Sequence, residues 1–146
     1  MSTMETDRMA RLLDGPHQAV LSLSRSGRGP VAVPVSYHFT DDGFYMVTSP
    51  DSVHGRLMSQ LGRATVTVQF EACDGRNVQQ WYVMAEGPIQ FTDLDPRPHI
   101  KTILAKDRGE DNVDEWTAGE PPPDVQVALL QPERISGYEF HESLDR

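Results

Sequence analysis

Cysteine is almost missing from this chain of 146 residues: Cys73 stands alone, so no internal disulfide can form. Its neighbours Glu71 and Asp74 disfavour a thiolate, and no histidine lies close in sequence, which reads as a plain thiol rather than a nucleophile. There is no C-x-x-C and no H-E-x-x-H, so no metal site is expected. No apolar run approaches the ~20 residues that cross a bilayer, and the first thirteen residues lack the apolar core of a signal peptide. A cytoplasmic protein with no membrane partner is expected. Positive charge is scarce and scattered: 13 Lys and Arg against 22 Asp and Glu give a net charge of −9. That balance excludes a duplex nucleic-acid binder, which needs a basic face to neutralise phosphates. A glycine-rich phosphate loop, a Ser-His-Asp spacing and a paired-carboxylate motif are missing too.

What the chain does have is alternation. Ala19 to Ser24 alternates weakly, and a Ser26-Gly27-Arg28-Gly29 turn joins it to Pro30–Phe39, where Val31, Val33, Val35, Tyr37 and Phe39 share a face. Pro34 cannot donate to a ladder, which predicts an edge, a bulge or a rim facing a ligand. Phe44–Val47, Ala64–Phe70, Val78–Phe91 (interrupted at Gly87-Pro88), Asp124–Leu130 and Ile135–Phe140 read as further strands. Ser2-Thr3-Met4-Glu5 has the form of a capping box opening a helix within residues 1–14, with Met4, Met9, Leu12 and Leu13 as its apolar contacts. A second helix follows Ser49-Pro50, with Val53, Leu57 and Leu61 at i, i+4, i+8 facing the core and Gly62 just beyond its end. Asp95-Pro96 starts a third, carrying Ile100, Ile103 and Leu104, and one helical turn is expected near Trp116 in the acidic, proline-rich stretch 109–123. Trp81 and Trp116 are expected in core or interface packing, and residues 141–146 as a loose tail. One domain, 1–146, follows: mainly β with short helices, an antiparallel barrel of six to seven strands.

The junction Thr48-Ser49-Pro50-Asp51-Ser52-Val53-His54-Gly55-Arg56 is the candidate site. A helix start offers unpaired N–H groups and a partial positive charge, which suits a phosphate. Ser49 either caps the helix or, with Thr48, donates to an anion, and both can hold together. Asp51 would repel a phosphate unless its side chain points away. Arg56 is a ligand or a solvated side chain; His54, mostly neutral at pH 7, binds anions less well than lysine. Tyr37 and His38 are weak candidates for catalysis. Gln80, Tyr82 and Met84 form a face that suits a cofactor or a dimer surface.

In order and spacing, the rim Pro34-Val35-Ser36-Tyr37-His38-Phe39, the strand–Thr48-Ser49–helix junction, Arg63-Ala64-Thr65-Val66-Thr67-Val68, Ala85-Glu86-Gly87 and Gln131-Pro132-Glu133-Arg134-Ile135-Ser136-Gly137 resemble the pyridoxamine 5′-phosphate oxidase-like, FMN-binding split-barrel family. The similarity spans roughly residues 9–140 and looks closest to the flavin/deazaflavin-dependent oxidoreductase branch. It implies a split β-barrel of the FMN-binding type and a homodimer with the cofactor in a groove between protomers. FMN, or alternatively coenzyme F420, would exchange a hydride with a small organic substrate. The backbone of Val33, Pro34 and Val35 would lie against the flavin ring. Thr48 and Ser49 would sit near the ribityl phosphate, with His54 and Arg56 reaching it. Gln80 and Tyr82 would approach from the partner or the groove floor. Where the family reads Ser-x-Lys-x-Arg-Asn-Leu, this chain has Ser52-Val53-His54-Gly55-Arg56-Leu57-Met58. Losing that lysine weakens the phosphate site. His54 for that lysine and Leu57 for the asparagine favour the alternatives: a non-catalytic flavin- or haem-binding protein, or a dimeric barrel without a cofactor. The arginine-rich motifs of true pyridoxamine phosphate oxidases are absent, and that activity is not expected.

Overall fold

A computed structural model describes residues 2–144. The strands are β1 (Ser2–Thr3), β2 (Ala19–Arg25), β3 (Arg28–Val35), β4 (Tyr37–Thr40), β5 (Gly43–Thr48), β6 (Arg63–Cys73), β7 (Asn77–Phe91), β8 (Gln126–Leu130) and β9 (Arg134–Ser143). The helices are α1 (Thr6–Leu13), α2 (Val53–Leu61), α3 (Pro96–Arg108) and α4 (Val113–Trp116), with one 3-10 turn at Glu110–Asn112. Every pairing is antiparallel, along the path β3-β2-β6-β7-β8-β5-β4, with β9 on the free stretch of β7 and β1 on β9. The two ends of that path, β3 and β4, are consecutive in the chain and joined by Ser36 alone. A sheet whose opposite edges are one residue apart in sequence has to curl, yet β3 and β4 do not pair. The result is a barrel left open along one seam, the split barrel expected.

Alternation fills the barrel. Leu21, Leu23, Val66, Val68, Trp81, Val83 and Ala85 point inward from β2, β6 and β7, meeting Phe44, Met46, Ala128 and Leu130 from β5 and β8. Burying each of the larger ones is worth ~1.5–3 kcal/mol. Pro34 lies on the end strand β3, where its missing N–H removes no ladder bond. Gly62 closes α2 in the left-handed region, φ 67°, as its place after the helix predicts.

Several expectations need correction. The Pro30–Phe39 strand is two strands, broken at Ser36. Ser2 does not cap α1: Ser2–Thr3 pairs with β9, and the helix begins at Thr6 after Glu5, which makes no side-chain cap. β7 is not interrupted at Gly87-Pro88; its partner changes there, from β9 (through Glu86) to β8 (from Ile89). Gly87 permits the change, because a Cβ on it would lie 2.1 Å from the Gln131 carbonyl oxygen. α2 is capped by Ser52, not Ser49, and starts at Val53, so Pro50 lies in the preceding turn. Its buried face is Gly55 and Met58; Val53 is 68% exposed and Leu61 is exposed too. His141–Ser143 is not loose but completes β9, and the Leu144 N–H donates to the Arg76 carbonyl; Asp145 and Arg146 lie outside the described residues. Trp81 is buried as expected, whereas Trp116 is exposed.

Candidate functional site

The chain leaves β5 at Thr48 and enters α2 through a tight four-residue turn. Ser49 Oγ accepts from the Asp51 N–H (3.2 Å), the Ser49 carbonyl accepts from Ser52 Oγ (2.7 Å), and Ser52 Oγ in turn accepts from the Gly55 N–H (3.0 Å). The Val53 and His54 N–H groups belong to the first turn, which has no intrahelical acceptors. Gly55 allows this compactness: a Cβ there would lie 2.1 Å from the Ser49 carbonyl oxygen and 2.9 Å from Pro50 Cα. Thr48 Oγ1 and His54 Nε2 are 2.7 Å apart, so the hydroxyl and the imidazole are joined to each other. Burial lowers the His54 pKa below its ordinary value, so the ring is neutral at pH 7. Arg56 is exposed, and its guanidinium has no hydrogen-bond or ion-pair partner among the described residues. The first turn of α2 therefore holds one permanent cation and free backbone donors. That donor set fits one phosphate, with hydroxyls beside it.

α2 packs on β2, the strand that carries β3. β2 is therefore in contact with both α2 and β3. Val33 and Val35 are half-buried and Pro34 is exposed, opposite Leu21, Ala19 and Val20 respectively. Gln80 and Tyr82 are elsewhere. β7 is three strands from β3, roughly 14 Å along the sheet. The two half-buried residues line a shallow cavity of about 200 Å³ with Gln69, Glu71 and Tyr138, where the Tyr82 and Tyr138 rings are 5.2 Å apart. Within one protomer they do not share a site with Val33–Val35. The adjacent row across this outer face is Pro34, Val20, Thr67, Met84 and Ser136, uncharged throughout, with Val20 41% and Met84 44% exposed.

Tyr37 and His38 both have partners within the fold. Tyr37 is fully buried and its hydroxyl donates to the Leu13 carbonyl (2.8 Å), with the Lys106 ammonium 4.2 Å from its ring centroid. Burial raises its pKa well above the ordinary phenol value. His38 Nε2 lies 2.8 Å from His99 Nδ1, and its ring stacks on Tyr45 (5.0 Å, 17°). Burial first, then His99 and Lys106, push the His38 pKa down to about 4.

The sequence reading missed His99, Lys106 and the hollow beside α3. His99 is 61 positions from its partner, and no local pattern marks it. Lys106 is in the last turn of α3, yet its side chain is only 4% exposed: Nζ donates to the Gly15 and His17 carbonyls (3.2 and 2.9 Å) and pairs with Asp107. A basic last turn is an ordinary helix ending, so the pattern alone conceals that contact. Among the described residues no cluster of three or more His, Cys, Asp or Glu could hold a metal ion, and no helix is long and apolar enough to cross a membrane.

Comparison with known proteins agrees with the barrel. An FAD-binding protein from Mesorhizobium loti superposes with TM-score 0.69 at 22% identity, covering 95% of this chain and 97% of that one. An FAD and haem binding protein from Mycobacterium smegmatis gives 0.70 at 17%, covering 99% and 75%, and a haem storage protein from Vibrio cholerae 0.62 at 11%, covering 94% of each. At these identities the likeness concerns the fold. No curated protein matches the sequence. A family model described as pyridoxamine 5′-phosphate oxidase matches residues 5–139, nearly the whole chain, and the protein belongs to that family.

Proposed function

We infer that this chain binds a flavin and uses it as an oxidoreductase on a small organic substrate, with FMN as the cofactor and coenzyme F420 as the alternative. The start of α2 carries the inference: a capped helix end, a glycine without room for a Cβ, and an exposed arginine with no partner. Arg56 and the first-turn N–H groups would hold the phosphate, with the Thr48 and Ser49 hydroxyls beside it. His54, kept neutral by burial, would orient Thr48 rather than supply charge. The β3 edge at Val33, Pro34 and Val35 would lie against the ring, with Pro34 leaving a gap in the donors of the unpaired outer side. The bound flavin would supply the hydride chemistry. A homodimer belongs to this reading, because the uncharged face around Val20 and Met84 suits a second protomer. Gln80 and Tyr82, some 14 Å from β3 in their own chain, would then reach the ring from the partner.

Titrating the purified protein with FMN and with F420, followed by cofactor fluorescence, tests the reading. One of the two should bind at micromolar concentration, and Arg56→Ala should weaken it about tenfold, ~1.4 kcal/mol. His54→Lys restores the missing cation and should tighten it. If neither cofactor binds at micromolar concentration, the flavin reading fails. A carrier without turnover is the second reading, favoured by the fact that both proton-donor candidates are engaged elsewhere, Tyr37 with Leu13 and His38 with His99. Reoxidation of the reduced cofactor by quinones, enones or nitro compounds supports the enzyme; binding without reoxidation supports the carrier.

A further inference from the structure

Two cavities run along α3 and meet at Ile100 and Pro122. The inner one, about 210 Å³, is walled by Val47, Ile103, Leu104 and Val125, and it ends at Ser36. The outer one, about 320 Å³, opens between α3 and the 116–122 segment, where Trp116, Pro121 and Lys101 line it. Each lies at or below the lower end of the ~300–1,000 Å³ typical of small-molecule sites, so a molecule of one or two rings fits. The walls favour a flat apolar body. Val47, Ile100, Leu104 and Val125 are only half-buried, and Trp116 is 57% exposed even with the Arg108 guanidinium 4.4 Å from its ring centroid.

The charges narrow the class further. Lys101 has no hydrogen-bond or ion-pair partner among the described residues, whereas Arg97 is held by Asp95 (3.1 Å). Glu120 lines the same mouth, and Glu110, Asp111, Asp114, Glu115 and Asp124 crowd the flanking segment. Lys101 and the Arg108 guanidinium over Trp116 are outnumbered by those carboxylates, which suits a neutral acceptor oxygen better than a full anion. The inner end at Ser36 is the residue following Val35.

We propose that the hollow along α3 is the substrate site of this protein and takes a neutral, flat molecule of one or two rings. Its ring packs on Trp116 and Ile100, and a carbonyl or nitro oxygen accepts from Lys101. Its role as the substrate site rests on the flavin reading, because only that reading puts the cofactor ring beside Val35. Its ligand preference does not.

The test uses 2-acetylnaphthalene as the neutral ketone and 2-naphthoate as its anionic counterpart, measured by calorimetry on the full chain with and without FMN. The ketone should bind with a dissociation constant below about 1 mM, and no more weakly than the naphthoate. Lys101→Glu, an exposed position, should weaken the ketone about tenfold. Trp116→Ala should do the same, provided its circular dichroism matches the parent. No ketone binding, tighter binding of the naphthoate, or binding indifferent to both substitutions overturns the proposal, whatever FMN does. Ketone binding to a protein that binds neither FMN nor F420 leaves the ligand preference standing and refutes the substrate role together with the flavin reading. Competition between the ketone and FMN for one place would also overturn the proposal, because the hollow lies beside the cofactor position and not on it.

Discussion

His38 and His99 join β4 to α3 through two imidazole rings, and a second proton on that pair puts two positive charges 2.8 Å apart. Acid is the natural perturbation. The groups around them are Tyr45 on β5, stacked on His38 and 4.8 Å from His99, and Lys106 and Asp95 at the two ends of α3. Asp42 holds the Tyr45 hydroxyl (2.9 Å). Burial lowers the His99 pKa, partly offset by Asp95. The His38 pKa is pushed from 6.5 to about 4. In the unfolded chain His38 takes up a proton near pH 6.5, whereas the folded chain resists until about 4. The unfolded state therefore binds more protons throughout that interval, and stability falls as pH falls from about 6.5 to 4. A displacement of about 2.5 at 1.36 kcal/mol per pH unit sets a ceiling of ~3 kcal/mol. His38 is only half-buried, and screening by water reduces this to ~1–2 kcal/mol. Urea unfolding of the parent and of His38→Gln at pH 7 and pH 4.5 measures it, since glutamine cannot titrate. The parent should lose ~1–2 kcal/mol more than the variant on acidification. His17 and His54, also lowered by burial, contribute equally to both proteins and cancel. Equal acid losses, or a His38 ring proton that titrates near 6.5 by NMR, would refute the reasoning.

Two further substitutions probe the parts that position the site. Gly55→Ala places a Cβ 2.1 Å from the Ser49 carbonyl oxygen and should cost ~1–3 kcal/mol by overpacking, read as a lower urea midpoint, and should weaken any phosphate ligand. An unchanged midpoint would refute the close packing of Gly55 against the turn. Lys106→Met leaves the Gly15 and His17 carbonyls without their donor and should cost ~2–4 kcal/mol in unfolding experiments. Because Lys106 also lies over Tyr37, the near-ultraviolet circular dichroism should change with it.

The strands could be read from the sequence because a period of two is a local property. Inward and outward positions on β2, β6 and β7 follow from residue type alone, and Pro34 announced its edge by the donor it lacks. α2 misled for an equally physical reason. Val53, Leu57 and Leu61 form the stronger apolar stripe, yet the helix turns Gly55 and Met58 inward, since the closest approach to the β5–α2 turn requires the one residue without a side chain. A reading by hydrophobicity gives glycine no weight and so assigns the wrong face. The tail failed similarly: His141-Glu142-Ser143 carries no strand pattern, but β7 extends far enough to pair with it.

The site divides along the same line. The end proposed for a phosphate is a run of nine residues, Thr48 to Arg56, and a run can be recognised. The hollow along α3 and the His38–His99 contact join positions about sixty residues apart, and sequence spacing records nothing of them. That difference also orders the functional claims. Arg56 tests what the family pattern implies, whereas Lys101 and Trp116 test what only the folded chain brings together. A protein that binds FMN through Arg56 and remains indifferent to Lys101 would keep its family's cofactor and take its substrate from some other side of the ring.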